Sequence, residues 1–121
     1  MSNTATETAP AKSGRKQRRK SMNAATFIKR LTMEEGSVLR VTVTDTSDAG
    51  LGCVSIIPLR VGDRLAVGLT LPGSQPEMVL SRVEHCSKNA AGQFRFGLTV
   101  LERQPGDLVR VRVPPHWLSQ T

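Results

Sequence analysis

The segment FRFGLTV (94–100) puts Phe94, Phe96, Leu98 and Val100 on one side of an extended chain and Arg95, Gly97 and Thr99 on the other. A period of two over that length marks a strand with one buried and one wet face. The same alternation runs through VLRVTV (38–43), where Leu39, Val41 and Val43 interleave with Arg40 and Thr42. It returns in RLAVGLTL (64–71), with Leu65, Val67, Leu69 and Leu71 on one face. LGCVSII (51–57) is a short, mostly apolar strand, MVLSRVEHC (78–86) is another strand, and MNAATFI (22–28) is a fainter one. Turn chemistry separates them: Glu34, Glu35 and Gly36 within 33–37, then VGD (61–63), PGS (72–74) and KNAAG (88–92). No stretch carries a helical period, and there is no internal repeat. Short antiparallel strands in this succession imply an all-β barrel or sandwich, and closing a barrel removes exposed edges. A further strand is expected where Val109, Val111 and Val113 alternate with Arg110 and Arg112, stopped by Pro114 and Pro115. Trp117, the sole tryptophan, is expected to fold back onto an apolar surface.

With 121 residues the chain has room for one domain, and 3% aromatic content limits it to a modest aliphatic core. No apolar run is long enough to cross a bilayer, and the first residues lack the apolar stretch of a signal peptide. Cys53 and Cys86 make no CxxC pair, so neither a disulfide framework nor a zinc site is expected, and a reducing cytoplasm is the expected location. His85 beside Cys86 is the one pair suggestive of nucleophilic chemistry. Neighbours in a strand point to opposite faces, which keeps such a pair from forming a dyad. With no phosphate loop, HExxH or GxGxxG, the expectation is a protein that is not an enzyme and holds no metal or cofactor.

The net charge of +7 is local. Lys12, Arg15, Lys16, Arg18, Arg19 and Lys20 are six basic residues with no acid among them; without them the chain has eleven basic and ten acidic residues. Any anion this protein prefers should therefore meet residues 12–20 first. Taken alone, GRKQRRK (14–20) is an arginine-rich arm of the kind that binds polyphosphate by counterion release, or simply a solvated tail. TDTSDAGLG (44–52) is equally ambiguous alone. Asp45 and Ser47 share one face of an extended chain and Gly50 permits the positive φ of a reversal, which suits a binding site or a turn capped by its own side chains.

The two segments in order are more specific. RKQRR contains R-x-x-x-R at Arg15 and Arg19, and DTSDAG contains D-x-S-x-x-G at Asp45, Ser47 and Gly50, after 25 intervening residues. That order and separation resemble the PilZ domain, a bacterial receptor module for cyclic di-GMP. PLRVGDRLAVGLTLP, SRVEHC and GQFRFGLTVLE resemble the family's later strands, so the likeness covers roughly residues 15–102. It implies a six-stranded antiparallel barrel with a flexible basic N-terminal arm that folds over the nucleotide. By the same resemblance Arg15 and Arg19 clamp the ligand, Asp45 and Ser47 read guanine, and Gly50 shapes the turn. Arg18 adds a guanidinium that faces either a second stacked ligand or solvent. Side-chain chemistry agrees: a guanidinium fork matches guanine O6 and N7, or phosphate oxygens, and a carboxylate accepts from guanine N–H groups.

The expected organisation is a disordered lead-in (1–14), the PilZ-like domain with its arginine loop (15–102) and a C-terminal extension (103–121). The expected function is a cyclic di-GMP receptor that relays the signal to an unidentified protein partner through ordering of the arginine loop, with no membrane insertion. The alternatives are a nucleic-acid-binding protein using the basic arm, and a PilZ-like interaction module that does not use the nucleotide.

Overall fold

A computed structural model describes residues 20–31 and 35–118. Six strands carry the fold: β1 (Lys20–Leu31), β2 (Glu35–Thr46), β3 (Gly50–Ser55), β4 (Arg64–Leu69), β5 (Glu77–Lys88) and β6 (Phe94–Pro105). Every pairing is antiparallel, and the order β1-β2-β3-β6-β5-β4 closes on itself as a barrel. The expected all-β architecture is the one observed. Among the described residues no helix is long and apolar enough to cross a membrane.

The alternating faces fill the barrel. Val41 and Val43 of β2, Leu65 and Val67 of β4, Val79 and Val83 of β5, and Phe96 and Leu98 of β6 form one interior cluster. Leu71, although β4 ends at Leu69, still packs against it. A second apolar cluster lies outside the barrel, where Leu108, Val113 and Trp117 cover Leu31, Ala66, Met78 and Leu80. Trp117 is fully buried there, as expected of the sole tryptophan. This layer also explains why Leu65–Val67 and Met78–Ser81 are continuously buried: both faces of β4 and β5 are covered, which replaces alternation with an unbroken apolar run.

Three sequence expectations need correction. The fainter strand at 22–28 is a twelve-residue β1, paired along much of its length with β2, so its small residues Asn23, Ala24 and Ala25 conceal a full strand. β2 begins at Glu35, which places Gly36 and Ser37 inside the strand rather than in the expected turn. A Cβ at Gly36 would meet the Arg30 carbonyl oxygen at 2.8 Å, so the hairpin needs a glycine where the strands approach. Finally, no strand forms over 109–113. The Asp107 carbonyl accepts from Arg110 and Val111 at 2.9 and 3.0 Å, and its carboxylate accepts from Val109 N at 3.1 Å, which winds the chain into a turn. Val109 and Val111 are exposed and Val113 buried. The chain then ends in a single 3-10 turn, Pro115–Trp117.

The other turns follow their chemistry. Gly62 (φ 96°) and Gly92 (φ 81°) supply the left-handed positions of the VGD and KNAAG turns. Asp63 and Asn89 accept from backbone amides within them. β3 ends where the Ser55 hydroxyl accepts from Ile57 N at 3.0 Å, which leaves Ile56 exposed.

Candidate functional site

Across four adjacent strands runs one row of residues on the outer face. Asp45 of β2 pairs with Gly52 of β3, Gly52 with Gly97 of β6, and Gly97 with His85 of β5. The two glycines are the middle of the row, and side chains from either end lean over them. A Cβ at Gly52 would lie 2.6 Å from Asp45 Oδ2, and one at Gly97 would lie 2.3 Å from His85 Nε2. Neither position accepts a side chain without displacing its neighbour. The carboxylate thus lies over Gly52 and the imidazole over Gly97, within a cleft of about 220 Å³ that Arg95 also lines. Both overhanging groups are the ends of side chains rather than backbone, so a flat ring reaches the glycines only when Asp45 and His85 swing aside.

Cys53 lies beneath this cleft and is buried. Burial, together with the negative charge of Asp45, pushes its thiol up to about 12, so at neutral pH it is a protonated core residue and a poor nucleophile. Cys86 packs toward the barrel interior while His85 is exposed, the opposite-face arrangement expected of neighbours in a strand.

The DTSDAG turn adjoins the cleft through Asp45. Ser47 is buried; its N–H donates to the Gly50 carbonyl at 2.9 Å and its hydroxyl accepts from Gly50 N at 3.2 Å. The hydroxyl is thus engaged in the turn itself. Gly50 opens β3, paired with Thr99, and does not have a positive φ, contrary to the role expected for it; among the described residues Gly62, Gly73, Gly92 and Gly106 do. Reversal is instead achieved through residues 47–49, anchored by Val100 N donating to Ala49 O at 2.9 Å. Arg103 braces the turn from outside, donating to the Ser47 carbonyl at 3.3 Å and pairing with Glu77 at 2.5 Å.

Arg15, Arg18 and Arg19 lie outside the described residues. Their point of attachment does not. Lys20 pairs with Thr46 and Ser21 with Asp45, so the arginine segment joins the barrel beside the Asp45 end of the row. Of the residues singled out from sequence, Asp45 lines the cleft, while Ser47 and Gly50 are bonded to each other in the adjoining turn and do not line it. Gly52, Gly97, His85 and Arg95 were missed as site residues. The available signal was a glycine inside each of two strand patterns, which often marks a place where something approaches the backbone closely.

No family model and no curated protein matches this chain. Among solved structures it is similar to the Bacillus subtilis inhibitor of motility MotI/DgrA, with a TM-score of 0.58 and 17% identity over 74% of this chain and 44% of that one. The chain thus spans less than half the length of that protein. The six-stranded barrel is therefore a fold this chain shares with a motility inhibitor.

Proposed function

We propose that this protein is a PilZ-like receptor that binds cyclic di-GMP at the glycine-floored cleft and relays the signal to a protein partner. The observation that supports the reading is a juxtaposition: β1 begins with Lys20 opposite Thr46 and Ser21 opposite Asp45, so the first described residue after the R-x-x-x-R motif lies beside the D-x-S-x-x-G turn. With Asp45 and His85 swung off the two glycines, a guanine ring can lie on that backbone with its N–H edge toward Asp45 and its opposite edge toward His85 or Arg95. Arg15 and Arg19 supply forks to O6 and N7 or to the phosphates, and Arg18 can add a third. Ser47 holds the turn through Gly50 N and offers its remaining lone pair to the ligand. Gly50 completes that turn by bonding Ser47 through both its amide and its carbonyl.

Ligand phosphates neutralise the cations of residues 12–20 and bring that segment onto the barrel, which creates a composite surface for the partner. The role is binding rather than catalysis. Two free cysteines suit a reducing cytoplasm. Calorimetric titration of the chain with cyclic di-GMP, with GTP and a short RNA as controls, tests the reading. Saturable binding to cyclic di-GMP alone is the expected result. Equal binding of all three marks a general polyanion binder instead. Arg15→Ala or Arg19→Ala should lower affinity at least about tenfold, about 1.4 kcal/mol, without changing the melting temperature.

A further inference from the structure

The DTSDAG turn is held from a place its own motif does not contain. β3 stops pairing with β6 at Gly50–Thr99, while β6 runs on to Pro105. Past that last pair, two groups of β6 serve the turn in place of a ladder. Val100 N–H donates to the Ala49 carbonyl at 2.9 Å, and the Arg103 guanidinium donates to the Ser47 carbonyl at 3.3 Å, 56 residues away in sequence. The Ser47 N–H and hydroxyl are both engaged with Gly50, so Arg103 supplies the bond for the third polar group of that residue.

Arg103 is itself fixed. Its Nη1 donates to Glu77 Oε1 at 2.5 Å while its Nη2 reaches Ser47. Glu77 opens β5 and pairs with Leu69 on one side and Pro105 on the other, so its carboxylate rises from backbone held in the sheet on both flanks. The Arg103 and Glu77 side chains are 34% and 30% exposed, against 83% and 43% for Arg110 and Asp107, so the first pair is sheltered where the second is solvated. One planar guanidinium thus spans an anchored carboxylate and a loop carbonyl. A lysine ammonium is a single point on a flexible stem and has no fork to divide between two fixed acceptors.

The turn in its turn bears on Asp45, which lies two residues before Ser47. Both ladders of β2 slip beside Asp45: against β3 between Val43 and Asp45, and against β1 between Ser21 and Ala24. A ladder disrupted by a bulge holds its strand less firmly than a regular one, so the turn that follows helps to set where the carboxylate stands. A binding group whose support is loose loses its geometry even when it is present.

We propose that Arg103 is the positioning residue of the DTSDAG turn, with Glu77 as its anchor, and that it sets the place from which Asp45 meets the ligand without itself touching the ligand. Its consequence for affinity rests on the proposed binding of cyclic di-GMP. The brace rests on the turn geometry alone.

The test compares Arg103→Lys and Arg103→Gln with the wild-type full chain in two measurements. The first is amide hydrogen exchange without ligand, read by NMR. Both variants should speed exchange at Ser47, Gly50 and Val100 by at least about fivefold relative to the barrel amides of Val67 and Val79, because one local bond is lost and the global fold is kept. The second is calorimetric titration with cyclic di-GMP, in which both variants should lose affinity at least about threefold. Lysine keeps the positive charge, so a lysine variant that exchanges and binds like wild type shows that charge alone suffices and overturns the positioning role. Uniformly faster exchange at every amide marks a general stability contact and overturns it equally. Faster exchange in the turn with unchanged affinity overturns the link from brace to site. A wild-type chain that does not bind cyclic di-GMP overturns the proposed receptor and Arg103's bearing on a ligand, while the exchange measurement still decides the brace.

Discussion

The β4–β5 wall and the β3–β6 wall belong to one barrel and share its interior, yet their outer faces are treated in opposite ways. Over β4 and β5 the chain returns after β6 to lay Leu108, Val113 and Trp117 on Ala66, Met78 and Leu80. Over β3 and β6 the outer row is Gly52 and Gly97, overhung only by Asp45 and His85. One wall gains stability by burying apolar area on a second face. The other covers its glycines only with the ends of polar side chains, and a glycine in a strand gives up packing and conformational order that almost any other residue would supply. That difference is what the proposed ligand site on the second wall rests on.

Removing the cover should have the largest effect. Trp117→Ala empties a fully buried site and should lower unfolding free energy by about 3–5 kcal/mol, read from urea unfolding followed by circular dichroism. The folded fraction should keep its cyclic di-GMP affinity, because the cleft lies on the other wall. A parallel loss of affinity in fully folded protein would show that the walls are coupled.

Filling the bare wall should do the reverse. A Cβ at Gly97 conflicts with the tip of the His85 ring rather than with backbone, so the side chain can swing away and the fold survives. Gly97→Val suits a strand, yet it raises the floor of the cleft. Cyclic di-GMP affinity should fall by at least about tenfold, near 1.4 kcal/mol, with the urea midpoint unchanged or higher. Unchanged affinity would remove the glycine floor from the site.

The smallest effect concerns how the cover is held down. The Trp117 indole, which approaches Glu102 without full hydrogen-bond geometry, and His116, 2.9 Å away, hold the Glu102 carboxyl below its usual range. A carboxyl with a lowered folded pKa contributes stability above its unfolded value and loses it as pH falls through the lower folded value. Unfolding midpoints should therefore decline slightly on acidification below about pH 4, where unfolded glutamate titrates. Glu102→Gln should flatten that part of the decline. An identical profile in the variant would leave the latch without a role.

The two walls also differ in how far the sequence revealed them. β2 and β6 alternate cleanly because one face is wet, and both were legible from period alone. β4 and β5 bury both faces, so their strands were recognised while the reason for their unbroken apolar runs was not; the covering layer comes from residues 108–117, far along the chain. The alternation of Val109, Val111 and Val113 misled because the closed barrel has no place for a seventh strand, and Asp107 turns the chain first. Asp45, Ser47 and Gly50 form a local motif legible in the sequence, and of these the cleft takes in Asp45. The Gly52–Gly97 floor and His85 are assembled by register between three strands, which a single sequence does not state.

The central claim is that Asp45 recognises a guanine edge rather than merely adding charge near a basic segment. Calorimetric titration of Asp45→Ala against wild type, with cyclic di-GMP and with a short RNA, tests it directly. A carboxylate that accepts guanine N–H groups leaves them unpaired when it is removed, so cyclic di-GMP binding should weaken by roughly 1–3 kcal/mol although a negative charge has been lost. Ser47→Ala should be milder. RNA binding by the basic segment should stay the same or strengthen slightly, and should fall steeply with salt. Tighter binding of both ligands by Asp45→Ala would contradict the account and leave a general polyanion binder.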